Sequence, residues 1–187
     1  MGEFILHGEA EALLALWYEA RGAHPLPPRT FIDPLKLRRW IADISIVHLH
    51  EGPRRLYVSL HGENVAWHLG PNFHKRYLED AVPPSALRDT VAPYDFSTES
   101  RLPCYSIQRR SLQRGKSGCL ERMVLPCCAD DPHKTDRFLV WVAPIAMNDR
   151  MSPPDHHPCD AIGSVPTGRD ARDDPAKLFA LRTDRLH

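Results

Sequence analysis

At 187 residues the chain is long enough for one compact domain with a buried core and an extension. Its 24 Lys and Arg balance its 24 Asp and Glu, so no broad field favours nucleic acid or an anionic membrane surface as a partner. No apolar run approaches the roughly 20 residues that span a bilayer, Met1-Gly2-Glu3-Phe4-Ile5-Leu6-His7 lacks the layout of a secretion signal, and five irregularly spaced cysteines fit reduced thiols, so a cytoplasmic chain is expected.

Residues 9–21 read as a helix: Leu13, Leu16, Trp17 and Ala20 share one face, Leu14 and Tyr18 widen the stripe, and Gly22 offers a left-handed cap. Pro25-Leu26-Pro27-Pro28 cannot continue it. Asp33-Pro34 starts a second, short helix expected to run to about Trp40, with Ile32 and Leu37 as a hydrophobic staple. Two alternating runs, 44–50 and 56–61, flank the turn Glu51-Gly52-Pro53-Arg54-Arg55 and form an antiparallel hairpin. A short helical turn covers 63–69 and carries Trp67. A longer helix is read from Pro84 to about Glu99 with Leu87, Val91 and Tyr94 on one face, and Pro93 is expected to kink it or end it early. Three strands follow, at 104–112, 118–127 and 137–145.

Strands joined by hairpin-length turns and segregated from the helices point to an α+β fold with an antiparallel sheet. The run Phe138-Leu139-Val140-Trp141-Val142-Ala143 is apolar on both faces, so the N-terminal helix is expected to cover the face that the other helices leave open. Beyond Met147 periodicity is lost, so the domain is placed at 1–147 and a poorly ordered polar tail at 148–187.

Several landmarks recur in order. They are Trp17 with Arg21-Gly22, Pro27 and Arg29, Ile32-Asp33-Pro34 with Leu37, Ile44, Gly62 and Gly70, Leu102-Pro103 with Tyr105, and Glu121-Arg122-Met123-Val124-Leu125-Pro126. This ordered set, spanning Leu13 to Ile145, resembles a PAS-domain family of short, often single-domain proteobacterial proteins. The chain departs from that family near Ser59, at Glu63 and near Lys75, where relatives carry Arg, Thr and Gly. The resemblance implies a five-stranded antiparallel sheet with helices on one face, a cavity between them, an N-terminal helix used in dimer formation, and a role in signalling.

Motifs for chemistry are sparse. Gly115-Lys116-Ser117 lacks the glycine a phosphate loop needs, since Arg110 stands there, and it joins strand to strand. His48 and His50 share a strand face without a third ligand nearby, and His156-His157-Pro158-Cys159 falls in the expected tail, so no metal site is assigned. Adjacent Cys127 and Cys128 suit packing better than redox exchange. No nucleophile elbow or triad spacing is present, and the chain is read as having no enzymatic activity.

The PAS-like layout would direct Trp67, Phe73, Tyr77, Tyr105 and Arg122 towards its cavity, with Arg122 able to fork onto a carboxylate or phosphate. Leu14 and Tyr18 are the expected dimer contact, as the flank of the helix stripe left over after the sheet is covered. The expected function is sensing or signalling through a small ligand, an unidentified signalling partner, or both, with homodimer formation. The alternative is a purely structural interaction module whose interior is filled by its own side chains. The sequence names no cofactor.

Overall fold

The computed structural model describes residues 8–69, 73–111, 117–144, 161–164 and 179–182. In chain order these form α1 (Gly8–Arg21), a 3-10 turn (Arg29–Phe31), β1 (Ile44–His50), β2 (Arg55–His61), α2 (Glu63–Leu69), β3 (Arg76–Tyr77), α3 (Leu78–Ala81), α4 (Pro84–Ser100), β4 (Cys104–Ser111), β5 (Ser117–Cys127), β6 (Arg137–Pro144), β7 (Ala161–Ser164) and β8 (Phe179–Arg182). The strands make one antiparallel sheet in the order β3-β2-β1-β6-β5-β4-β7-β8. The five expected strands are its centre. The two-residue β3 lengthens one edge, and β7 and β8 lengthen the other from within 148–187, the stretch read as a tail; the remainder of that stretch lies outside the described residues.

Alternation along β5 and β6 explains the layers. Met123, Leu125, Cys127, Leu139 and Trp141 enter one core with Ala10, Leu13, Leu14 and Trp17 of α1 and with Phe31, Leu37 and Trp40 of the loop after it. Their neighbours Leu120, Val124, Phe138, Val140 and Val142 enter a second core with Val65 of α2, Leu78 of α3 and Tyr94 of α4. Both faces are therefore covered, as the doubly apolar β6 requires. α1 is fixed by its indole, which donates from Trp17 Nε1 to the main-chain oxygen of Pro126 at 2.7 Å, and it ends on Gly22 at φ +55°.

Strand β2 changes sides. Leu56 and Val58 belong to the helix-side core, whereas Leu60 packs into the α1 core, because the register runs Val47↔Val58 and then Ile46↔Leu60, leaving Ser59 as an extra residue. The Ser59 hydroxyl donates to the Ile46 carbonyl at 3.3 Å and meets His48 Nε2 at 2.8 Å, which satisfies polar groups at the bulge. Gly62 then closes the strand against residues 42–44, where a Cβ would lie 2.3 Å from the oxygen of Ala42.

One expectation about helices is corrected. Residues 33–40 form successive turns, with Asp33 Oδ1 accepting from Leu35 N–H at 2.9 Å and later turns closed by Leu37, Trp40 and Asp43. Leu37 and Trp40 are buried while residues 34–36, 38 and 39 are exposed, and so short a segment does not sustain a helix without a broader buried face. Helix α4 keeps its expected extent, passing through Pro93 without ending early and stopping at Ser100, with Arg101 as its cap in left-handed conformation at φ 60°.

Candidate functional site

Helix α4 would ordinarily close the core with aliphatic side chains. Its buried face is instead Thr90, Pro93, Tyr94 and Ser97, and Leu87 and Val91, expected to lead that face, are only half buried. Opposite it, on β4 and β5, stand Cys104, Ser106, Leu120, Arg122 and Val124. Arg122, only 7% exposed, donates from Nε to Ser106 Oγ at 3.3 Å, from Nη1 to the Thr90 carbonyl at 3.2 Å and from Nη2 to the Asp89 carbonyl at 3.4 Å.

One of these two carbonyls, that of Asp89, is the one Pro93 leaves without a helix donor. Pro93 has no N–H to offer Asp89 four residues earlier, and its ring crowds that carbonyl. The guanidinium, with five fixed donors, reaches both oxygens from the sheet. Burial raises the Tyr94 phenol, and pushes the Cys104 thiol up to about 12, with Arg122 pulling both the other way. The hydroxyls of Thr90 and Ser97, 8% and 0% exposed by residue, meet no hydrogen-bond partner.

The five residues expected to line a single cavity are not brought together. Trp67 is 62% exposed on α2, a correction that follows from Val65, the one buried residue of that short helix. Phe73 is buried in the helix-side core with its ring edge-on to His61 at 5.4 Å. Tyr105 lies in the α1 core, across the sheet from Arg122, with its hydroxyl bonded to Glu121. Tyr77 sits at the β3 edge, 5.3 Å from the Tyr57 ring and under the Arg55 guanidinium at 3.9 Å. Of the five, only Arg122 and Phe73 are buried on the helix side.

Of the expected dimer flank, Leu14 is corrected and Tyr18 keeps its partial exposure. Leu14 is fully buried within the chain, and Tyr18 is partly buried, its hydroxyl raised to about 12 by burial against the opposing pull of Arg21. The exposed ridge of α1 is Glu11, Ala15 and Glu19.

Sequence reasoning missed Ser106, Thr90 and Ser97. A readable signal existed: polar residues at 90 and 97 share with Tyr94 the spacing of one helix face. A separate cleft of about 270 Å³ lies between the ends of α1 and α4, lined by Arg21, Gly22, His24, Ser100, Arg101 and Leu102. Among the described residues no group of three or more His, Cys, Asp or Glu suited to a metal occurs, at His48 and His50 or elsewhere, and His156, His157 and Cys159 lie outside the described residues. No helix among the described residues is long and apolar enough to cross a membrane.

No family model matches the chain, and no curated protein matches it. Among solved structures it is similar to a sensory box histidine kinase/response regulator from Burkholderia thailandensis, at 13% identity and a TM-score of 0.37, over 60% of this chain and 85% of that one.

Proposed function

We propose that the chain is a sensory or signalling module of the PAS type that takes a small ligand or a protein partner and passes the signal on by dimerisation or docking. The observation that carries this reading is the polar interior under α4, where Arg122, Ser106, Thr90 and Ser97 are buried together with an aromatic phenol. A few fixed polar groups inside an otherwise apolar interior are what small-molecule recognition uses, and a guanidinium suits a carboxylate. The ordered landmarks of the sequence, and a sheet with short helices on one face and α1 on the other, support the same reading. It assigns the chain no reaction of its own, and self-association would run along the Glu11, Ala15 and Glu19 ridge with Tyr18 beside it.

A second reading, an interaction module with a self-filled interior, is favoured by one observation. Tyr94 packs edge-on to Phe138 at 5.2 Å, and Arg122 already engages Ser106, Thr90 and Asp89. A thermal-shift screen with carboxylate metabolites, fatty acids, haem and flavins separates the two. Binding to the native state raises the melting temperature in proportion to the logarithm of ligand concentration. A concentration-dependent rise lost in Arg122→Lys supports the sensory reading, and no rise with any class supports the self-filled module.

A further inference from the structure

We propose that α4 is jointed at Pro93 and latched by Arg122, so that its C-terminal half moves as a unit and sets the width of the cleft against the end of α1. This goes beyond the sensory reading and needs no ligand.

Four observations meet here. Pro93 removes one rung of the helix ladder, at Asp89. The missing donor is replaced from another element, by Arg122 Nη2 on Asp89 and Nη1 on Thr90, the next carbonyl along. The half beyond the joint is weak as a helix. Thr98 Oγ1 bonds back to Tyr94 at 2.7 Å and Ser100 Oγ to Phe96 at 2.7 Å, contacts that compete with the ladder and bend helices, and Ser97 leaves a buried hydroxyl without a partner. Finally, this half runs into one wall of the cleft, at Ser100, Arg101 and Leu102, while the other wall is the end of α1 from Arg21 to Pro25.

The two halves thus differ in how they are held. The first is a regular helix up to Asp89; the second carries the buried Tyr94 and Ser97, the Asp95–Arg54 ion pair and the bond from Arg101 Nε to the His133 carbonyl, and is joined to the first across the missing rung that Arg122 spans. A side chain inserted into the ladder at a proline is a recognised cause of a kink, and removing it frees the joint. Arg122 acts here as a positioning residue.

Hydrogen exchange read residue by residue tests the joint in four proteins: the unmodified chain, Arg122→Met, Pro93→Ala and the double variant. Arg122→Met is expected to speed exchange at the amides of 94–101 by about tenfold or more, with the amides of β1 and β6 unchanged. Pro93→Ala gives Asp89 a donor again, so the double variant should return to within about threefold of the unmodified chain. Equal acceleration in the sheet, or a double variant as fast as Arg122→Met, overturns the proposal. If Arg122→Met does not fold, Arg122→Lys keeps the charge without the fork and is read by the same criteria, alone and with Pro93→Ala. A distance label pair spanning Ala23 and Arg101 should broaden in the single variant and sharpen in the double, and an unchanged distribution in both overturns the link to the cleft.

Discussion

Trp17 on α1 donates its indole hydrogen to the main-chain oxygen of Pro126 on β5, joining residues 109 positions apart across the interface between helix and sheet. The ring itself is fully buried among Leu125, Leu139 and Trp141. Trp17→Phe is expected to cost about 1–3 kcal/mol, because it leaves a buried carbonyl short of its donor. Trp17→Ala is expected to cost about 3–5 kcal/mol through the cavity it leaves. Urea denaturation at constant m-value measures both, and a cost below about 1 kcal/mol for Trp17→Ala would refute the role given to α1.

Lys75 adopts φ +58° beside β3, a left-handed conformation that costs a residue with a Cβ about 1–2 kcal/mol. Its main-chain N–H is held by the Val58 oxygen at 2.7 Å, so the backbone cannot relax away. The resemblance noted in the sequence places a glycine near this position. Lys75→Gly should therefore stabilise the chain by about 0.5–1 kcal/mol net of the greater freedom of glycine in the unfolded state. Thermal denaturation that shows a loss instead would mean that the lysine side chain supplies a compensating contact.

His61 donates or accepts at Ser45 Oγ through Nδ1, packs against Phe73, and has its Nε2 buried without a partner. Burial, helped by the nearby charge of His74, lowers its pKa to about 4 from the ordinary 6.5. Between these values the unfolded chain binds the proton more readily, so stability rises with pH across the window and falls as pH drops through it. Above about pH 6.5 the group contributes no penalty. His61→Asn, which keeps a hydrogen-bonding atom near Ser45, should flatten the stability profile between about pH 6.5 and 4. Parallel profiles for the two proteins over that range would rule out His61 as the source.

Cys104, Cys127 and Cys128 are all buried, and burial raises each thiol above its ordinary value. The thiolate is the reactive form, so native protein should leave these three unalkylated by iodoacetamide at about pH 8. Peptide mapping after a short pulse, with and without guanidinium, measures this. Rapid native labelling of Cys104 would indicate that α4 opens far more often than its packing implies.

Fold and site were legible to different degrees. The hairpin 44–61, α1 and the doubly covered β6 followed from periodicity, because each carries its pattern within one continuous segment. The passage of α4 through Pro93 did not, since the donor that rescues it comes from Arg122, 29 positions later and on another element. The burial of Leu14 was hidden similarly: α1 is covered on two flanks, by the sheet and by Phe31, Leu37 and Trp40 of the following loop. Arg122 was picked out for its forked donors, and it is indeed interior. The ring of candidates around it dissolved because Tyr105 points to the opposite face, a sidedness that strand alternation gives only once the pairing of β4 with β5 is known.

Neighbouring residues of β5 look into opposite cores: Met123 and Leu125 towards α1, Arg122 and Val124 towards α4. The strand is therefore a shared wall only one chain thick. Any displacement of its backbone is registered by both compartments at once, without a relay of intervening side chains. An event at the Arg122 contact and the seating of α1 against Met123 are readings of a single coordinate, the position of β5.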